Sequence, residues 1–379
     1  MKEPGSNYIP TLDGWRAIAI LGVMIGHSTS AIFGSGGSYP SERWHSLISH
    51  GGLGVDIFFG ISGLLICTRL LQENRKHGRI SLAGFYIRRA FRILPPYLLY
   101  LAIVALLGAS GILPVGKWEW ISCLLFFRNY LAPESLGEWY TAHFWSLAIE
   151  EHFYLLWPGV LVLCGIRRAR WVGIVIALLV AAWRVVEFRQ QWVSHLSPGG
   201  LFYWRTDIRL DGLLWGCAAA LLLDVPVWKE RLTRWLSFPV WLLLLVMFVV
   251  CVQFHPPLSM LWQAMLIPLI LMATILRPGE LVGRALEWRP MLWLGRLSYS
   301  LYLWQQLFFV GENAPRPLPV PVLQELPLSI LPVFACAVAS YYLFETPLIK
   351  LGHRLAKRNA VPHAARRDLS RAVEVVEST

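Results

Sequence analysis

Arg16 and His27 stand eleven residues apart in the stretch Tyr8 to His27, YIPTLDGWRAIAILGVMIGH. At 3.6 residues per turn that separation is about three turns, so on a helix the two side chains share a face about 16 Å apart along the axis. An imidazole titrates close to neutral pH and can take the proton of an attacking hydroxyl, while a guanidinium fork matches the geometry of phosphate. Two further stretches carry groups suited to the same chemistry. FYIRRAFRILPPYLL sets Arg88, Arg89 and Arg92 just ahead of Pro95 and Pro96, with Arg88 and Arg92 on one face. HFWSLAIEEHFYLLWP places Glu150 and Glu151 inside an apolar run, with Tyr154 four residues beyond Glu150. Adjacent carboxylates there either orient and deprotonate a histidine or pair with an arginine at a helix start.

Each of these groups also has a plainer reading. His27 can be a satisfied packing histidine, and the arginines can mark topology alone. In GVDIFFGISG, Gly54 to Gly63, small residues suit close helix packing, and Asp56 suits a helix start. Ser62 lies outside any nucleophile elbow, because Leu64 stands where the hydrolase pattern needs glycine. TDIRLDGLLWG puts Asp207 and Asp211 on one face with Arg209 across from them, as a structural ion network or a substrate contact. LGRLSYSLYLWQQ and LFETPLIKLG add Tyr299, Tyr302, Gln305 and Glu345.

The elements that must hold these groups are set by composition. Of 379 residues, 56% are hydrophobic and 15% charged, and the mean hydropathy is +0.52, against about 25% charged residues in soluble domains. The expected class is an all-α polytopic membrane protein with an intramembrane cavity. Ten spans are expected, near residues 15–33, 52–71, 93–112, 144–164, 171–187, 208–224, 238–254, 258–276, 292–311 and 327–348. The 19 tryptophans and 13 tyrosines suit many crossings, since amphipathic rings collect at membrane interfaces. Residues 118–131 are apolar but short and broken by Arg128 and Asn129, so an interfacial or re-entrant piece is expected there.

Charge sets the orientation. With ten spans, alternate loops and the two tails hold 24 of the 34 lysines and arginines and the opposite loops six, which places both termini in the cytoplasm. The net charge of +11 is mainly this topology signal, with anionic lipid or ligand as a secondary use. Lys2 is the single lysine before the first apolar run and no small-residue cleavage site follows, so an uncleaved anchor is expected. The six cysteines lie in apolar stretches without metal-ligand spacing and read as reduced core residues, with no metal expected. No basic and aromatic interleaving on a soluble domain points to nucleic acid. Residues 1–351 form the membrane unit and 352–379 a basic tail, expected to be disordered beyond its first turns.

In this order, these stretches resemble the acyltransferase-3 family of bacterial integral-membrane O-acyltransferases. The resemblance runs from about Tyr8 to Leu351 and rests on Arg16 with His27, GVDIFFGISG, RRAFRILPPY, WSLAIEEHFY, IRLDGLLWG, and LGRLSYSLYLW followed by FETP. It implies transfer of an acyl group, usually acetyl, from cytoplasmic acyl-CoA to a hydroxyl of a surface polysaccharide, another glycan, a lipid-linked sugar or a macrolide, in the bacterial cytoplasmic membrane. On that reading His27 is the base, Glu150 or Glu151 orients it, and Arg16, Arg88, Arg89 and Arg92 hold the acyl-CoA phosphates. Asp56, Ser62, Tyr154, Asp211 and Tyr302 form the expected acceptor-binding set. The chain departs from the family pattern at Gln305, where histidine is frequent, at His152, where glutamine is more usual, and at Gly60, where valine is common. Only the short tail follows the membrane unit, so hand-off to an appended domain within this chain is not expected. A proton-coupled transporter or flippase using His27, Glu150, Glu151 and Asp211 as a relay is the alternative, disfavoured because neither repeat symmetry nor paired broken helices is visible. A purely structural scaffold is disfavoured by buried charges in at least four spans.

Overall fold

The structure, a computed structural model, describes residues 8–33, 52–113, 115–131, 139–193, 201–256, 258–310 and 318–360, with the side chains of 29–33, 201–202 and 358–360 outside that description. Lys2 and residues 361–379 of the basic tail therefore lie outside the described residues. Every regular element among them is helical: α1 (Pro10–Phe33), α2 (Gly52–His77), α3 (Leu82–Ala109), α4 (Lys117–Leu124), α5 (Trp139–Ala142), α6 (Phe144–Gln190), α7 (Thr206–Arg209), α8 (Asp211–Leu223), α9 (Pro226–Trp235), α10 (Phe238–Phe254), α11 (Ser259–Leu276), α12 (Leu281–Leu286), α13 (Arg289–Phe308), α14 (Ile330–Ala339), a π-helical stretch Ser340–Glu345, and α15 (Thr346–Ala360).

Five helices are long and apolar enough to cross a membrane, or six if the bent pair α8 and α9, which meet at 106°, counts as one span. The expected ten is not reached by that measure. One reason is α6, whose 47 residues would extend about 70 Å, far beyond a ~30 Å hydrocarbon layer. Gly165, at φ 73° and ψ 154°, breaks it into two limbs. A second reason is that α1 and α13, 24 and 20 residues long, mix Asp13, Arg16, His27, Arg296, Gln305 and Gln306 into their apolar runs. Helices that carry the chemistry are the ones hydropathy undercounts. Residues 117–131 hold only an eight-residue helix and a 3-10 turn, about 12 Å of helix, which is too short to cross.

The bundle is closed by small residues. A Cβ at Gly295 of α13 would stand 1.8 Å from the Asp13 carbonyl oxygen of α1, so glycine brings these two helices into backbone contact. The same holds between α2 and α8, where a Cβ at Gly63 would meet the Leu213 carbonyl oxygen at 1.9 Å. The GVDIFFGISG stretch is thus in part a packing surface. Four of the six free cysteines, at 67, 123, 217 and 251, are buried in the bundle.

Candidate functional site

Three polar clusters occupy the interior. The first gathers cations. Ser81 caps α3 by accepting from the Gly84 amide at 3.1 Å, and Glu73 at the end of α2 takes both the Ser81 amide (3.1 Å) and Arg88 (2.7 Å), so helix end and helix start are tied together. From that start α3 carries Arg88, Arg89 and Arg92 inward, and Pro95 and Pro96 remove the amides that would bond the Phe91 and Arg92 carbonyls. Arg16 joins from α1, paired with Asp13 at 3.1 Å. Arg89 lies over the Tyr154 ring at 3.5 Å and 3.8 Å from Glu150.

Arg69 of α2 belongs to the same cluster, with Arg16, Arg88 and Arg89 as charged neighbours, although the sequence reading counted it only as a topology marker. Arg92 has Arg16, Arg69 and Arg89 around it. From α15, His353 and Lys357 face the same group. Among the described residues neither Arg69 nor Arg92 has a carboxylate within 4 Å, and Arg69 remains exposed. A set of cations this crowded, with two of them lacking a carboxylate partner among the described residues, has the electrostatics that suit an anion. Helical spacing can place Arg88 and Arg92 together, but only the packing of α2 against α1 and the Glu73 tie between α2 and the start of α3 bring Arg69 to them.

The second cluster surrounds His27, half-buried on α1. Its ring meets Trp139 edge-on, centroids 5.8 Å apart. Trp139 is fixed by reciprocal bonds across the start of α5 and the end of α13: its Nε1 donates to the Gln306 carbonyl at 3.1 Å, and Gln306 Nε2 donates to the Trp139 carbonyl at 2.7 Å. The Gln305 amide faces the His27 ring without a well-formed hydrogen bond. His27 Nδ1 is buried and without a partner. Tyr302 Oη donates to the His143 carbonyl at 2.7 Å and lies 2.7 Å from Ser146 Oγ, so this member of the expected acceptor set holds the start of α6 against α13.

Neither Glu150 nor Glu151 hydrogen-bonds to His27 among the described residues, so the expected orienting contact is absent. Glu150 accepts from Ser62 Oγ at 3.1 Å and Tyr154 Oη at 2.6 Å, and with Arg89 above, its lone pairs are committed. Ser62 and Tyr154 are accordingly partners of a carboxylate in the middle of the bundle. Glu151 faces Arg89 and Glu150 electrostatically. Glu345, turned inward by the π-helical stretch, accepts from Ser300 and Ser340 and faces Arg92.

The third cluster is ionic and lies apart from His27. Arg209 pairs with Asp56, 153 residues away, instead of with the two aspartates of its own motif. Asp211 pairs with Arg184 at 2.5 Å, and Asp207 with Arg205, which also holds Glu187 at 2.8 Å. Asp56, Arg184, Arg209, Asp211 and Gln263 line one small hollow. His152 lies 2.7 Å from Thr206 Oγ1 through its Nδ1, a use that fixes α7 against α6.

The family model described as an acyltransferase domain matches residues 9–344. Curated relatives include YrhL of Bacillus subtilis (strain 168), 31% identical over 96% of this chain and 58% of its own length. The peptidoglycan O-acetyltransferase OatA of Listeria monocytogenes is 27% identical over 91% and 56%. The O-acetyltransferase OatA of Staphylococcus aureus (strain NCTC 8325 / PS 47) is 30% identical over 93% and 59%. The chain thus spans less than two thirds of the length of these relatives. No solved structure matches it.

Proposed function

Because this chain belongs to the acyltransferase-3 family, we propose that it is a membrane O-acetyltransferase that moves acetyl from cytoplasmic acetyl-CoA to a hydroxyl of a cell-wall or surface glycan. The observation that carries the reading is the placement of two clusters on one helix: α1 bears Arg16 in the crowded cationic cluster and His27 beside Trp139 and Gln305, eleven residues apart. On this reading the cationic mouth faces the cytoplasm, the side on which a positive-inside arrangement concentrates lysine and arginine. Arg16, Arg69, Arg88, Arg89 and Arg92 hold the phosphates of the donor, and the pantetheine arm rises along α1 to bring its thioester to His27.

The chemistry then follows. The acceptor oxygen attacks the thioester carbonyl carbon as His27 takes its proton; the C–S bond breaks, and the departing thiolate recovers the proton from the imidazolium. A glycan acceptor is favoured by the relatives named as peptidoglycan O-acetyltransferases, and the outer ends of α1, α2 and α6 are where it enters. Ser62 and Tyr154 act on Glu150 and so position Arg89, whereas Asp56 and Asp211 hold α2 and α8 in place. A proton relay through His27 and the buried carboxylates gains no support, since among the described residues no carboxylate hydrogen-bonds to the ring.

Arg92→Gln tests the donor site in purified full-length protein supplied with radiolabelled acetyl-CoA and soluble peptidoglycan fragments. Losing one charge-assisted phosphate contact of about 1.5–3 kcal/mol raises the apparent KM for acetyl-CoA roughly 10- to 150-fold with kcat little changed. An unchanged KM in both Arg92→Gln and Arg69→Gln removes the donor site from this cluster.

A further inference from the structure

His143, at the entrance to α6, takes no part in the chemistry described so far. It is 2% exposed, and neither ring nitrogen has a hydrogen-bond partner among the described residues. The ring is firmly held nonetheless: Phe144, Tyr100 and Tyr302 pack on it with centroids 4.4, 5.3 and 5.4 Å away. A neutral imidazole carries one N–H donor and one acceptor nitrogen, and burying both unpaired is a cost the resting chain does not recover.

The same feature recurs around it. His27 Nδ1, both amide atoms of Gln305, Trp304 Nε1 and Gln306 Oε1 are also buried without partners. His143 is close enough to His27 for the two rings to sense each other's charge, and Gln305 faces His27 from α13. Unpaired polar atoms from α1, α13 and the start of α6 therefore converge beside the base. Packing alone gives no reason to gather them, because apolar side chains of the same volume fill such a space at lower cost.

We propose that His143 and Gln305 form the oxyanion-stabilising pair of the acyl transfer, donating an imidazole N–H and an amide N–H to the carbonyl oxygen of the thioester. The inference rests on the acyl-transfer reading above. As the acceptor oxygen bonds to the carbonyl carbon and its proton passes to His27, the π electrons move onto the carbonyl oxygen, where these donors meet the charge. Collapse restores the C=O bond, breaks C–S, and returns the proton from His27 to the thiolate. Donors aimed at charge that develops only in the transition state raise kcat and leave donor affinity nearly alone.

The experiment compares wild type, His143→Phe, Gln305→Leu and His27→Ala in lipid nanodiscs, with radiolabelled acetyl-CoA and soluble peptidoglycan fragments, and measures kcat, acetyl-CoA affinity by calorimetry, and Tm. Losing one oxyanion donor lowers kcat about 10²- to 10³-fold. In both His143→Phe and Gln305→Leu, affinity stays within about twofold and Tm equals or exceeds that of wild type, since a group unpaired in the resting chain has been removed. If His143→Phe and Gln305→Leu keep kcat within about threefold of wild type while His27→Ala is inactive, the oxyanion pair is wrong and the acyl-transfer reading stands. A lowered Tm with activity lost only in proportion to folded protein assigns His143 to packing and also overturns the proposal. Wild-type turnover by His27→Ala removes the base reading itself.

Discussion

Single residues in this bundle divide by whether their polar atoms are answered. Asp211 and Arg184 answer each other in a buried pair through one carboxylate oxygen, the other oxygen of Asp211 having no hydrogen-bond partner among the described residues, and removing either residue leaves the remaining charge uncompensated. Arg184→Met is therefore expected to destabilise the protein by about 3–5 kcal/mol, with Arg184→Met/Asp211→Leu recovering much of that loss. A double-mutant cycle on the detergent-solubilised protein, read by denaturation midpoint, checks this, and additive losses contradict it. The pair then acts as a structural clamp, the plainer of the two readings the sequence allowed. The unanswered groups are of the opposite kind: His27, Gln305 and His143 have buried polar atoms without partners among the described residues, Arg69 and Arg92 lack a carboxylate within 4 Å, and on the proposed reading substrate supplies the missing partners.

At the scale of the element, glycine decides where helices touch. Gly63→Leu forces a side chain onto the Leu213 carbonyl and separates α2 from α8, which carries Asp211 and faces Arg209 across Asp56. Gly159 of α6 has nothing within 4 Å of its would-be Cβ, so Gly159→Ala is expected to shift stability by less than about 1 kcal/mol. Thermal unfolding of the two variants separates them, with Gly63→Leu losing about 1–3 kcal/mol or more; equal midpoints contradict the packing account. The period of a helix was enough to place Arg16 with His27 and Arg88 with Arg92, because both pairs are local. Arg69 escaped because a charge at a helix end looks the same whether it marks topology or binds an anion. The partner of Arg209 escaped because a contact spanning 153 residues leaves no periodic trace. His143 escaped because its significance lies in bonds it does not make, which only packing reveals. The count by length and hydropathy falls short of the expected ten spans for a related reason, since a helix that carries polar residues is less apolar than one that does not.

For the whole molecule, the long axis of α1 links a cationic cluster at Arg16 to the polar surroundings of His27, eleven residues further along. On the proposed reading, donor and acceptor are presented from opposite faces of one membrane. The central claim is that acetyl crosses from cytoplasmic acetyl-CoA to an external hydroxyl through His27. It is tested most directly in sealed inverted membrane vesicles, cytoplasmic face outward, given radiolabelled acetyl-CoA and scored for label in lumenal glycan. Wild type is expected to incorporate label at a steady rate, right-side-out vesicles and His27→Ala vesicles at no more than about 1% of it, in line with the 10²- to 10⁴-fold contribution of a general base. Incorporation by His27→Ala at the wild-type rate, or equal incorporation in either vesicle orientation, would contradict the account.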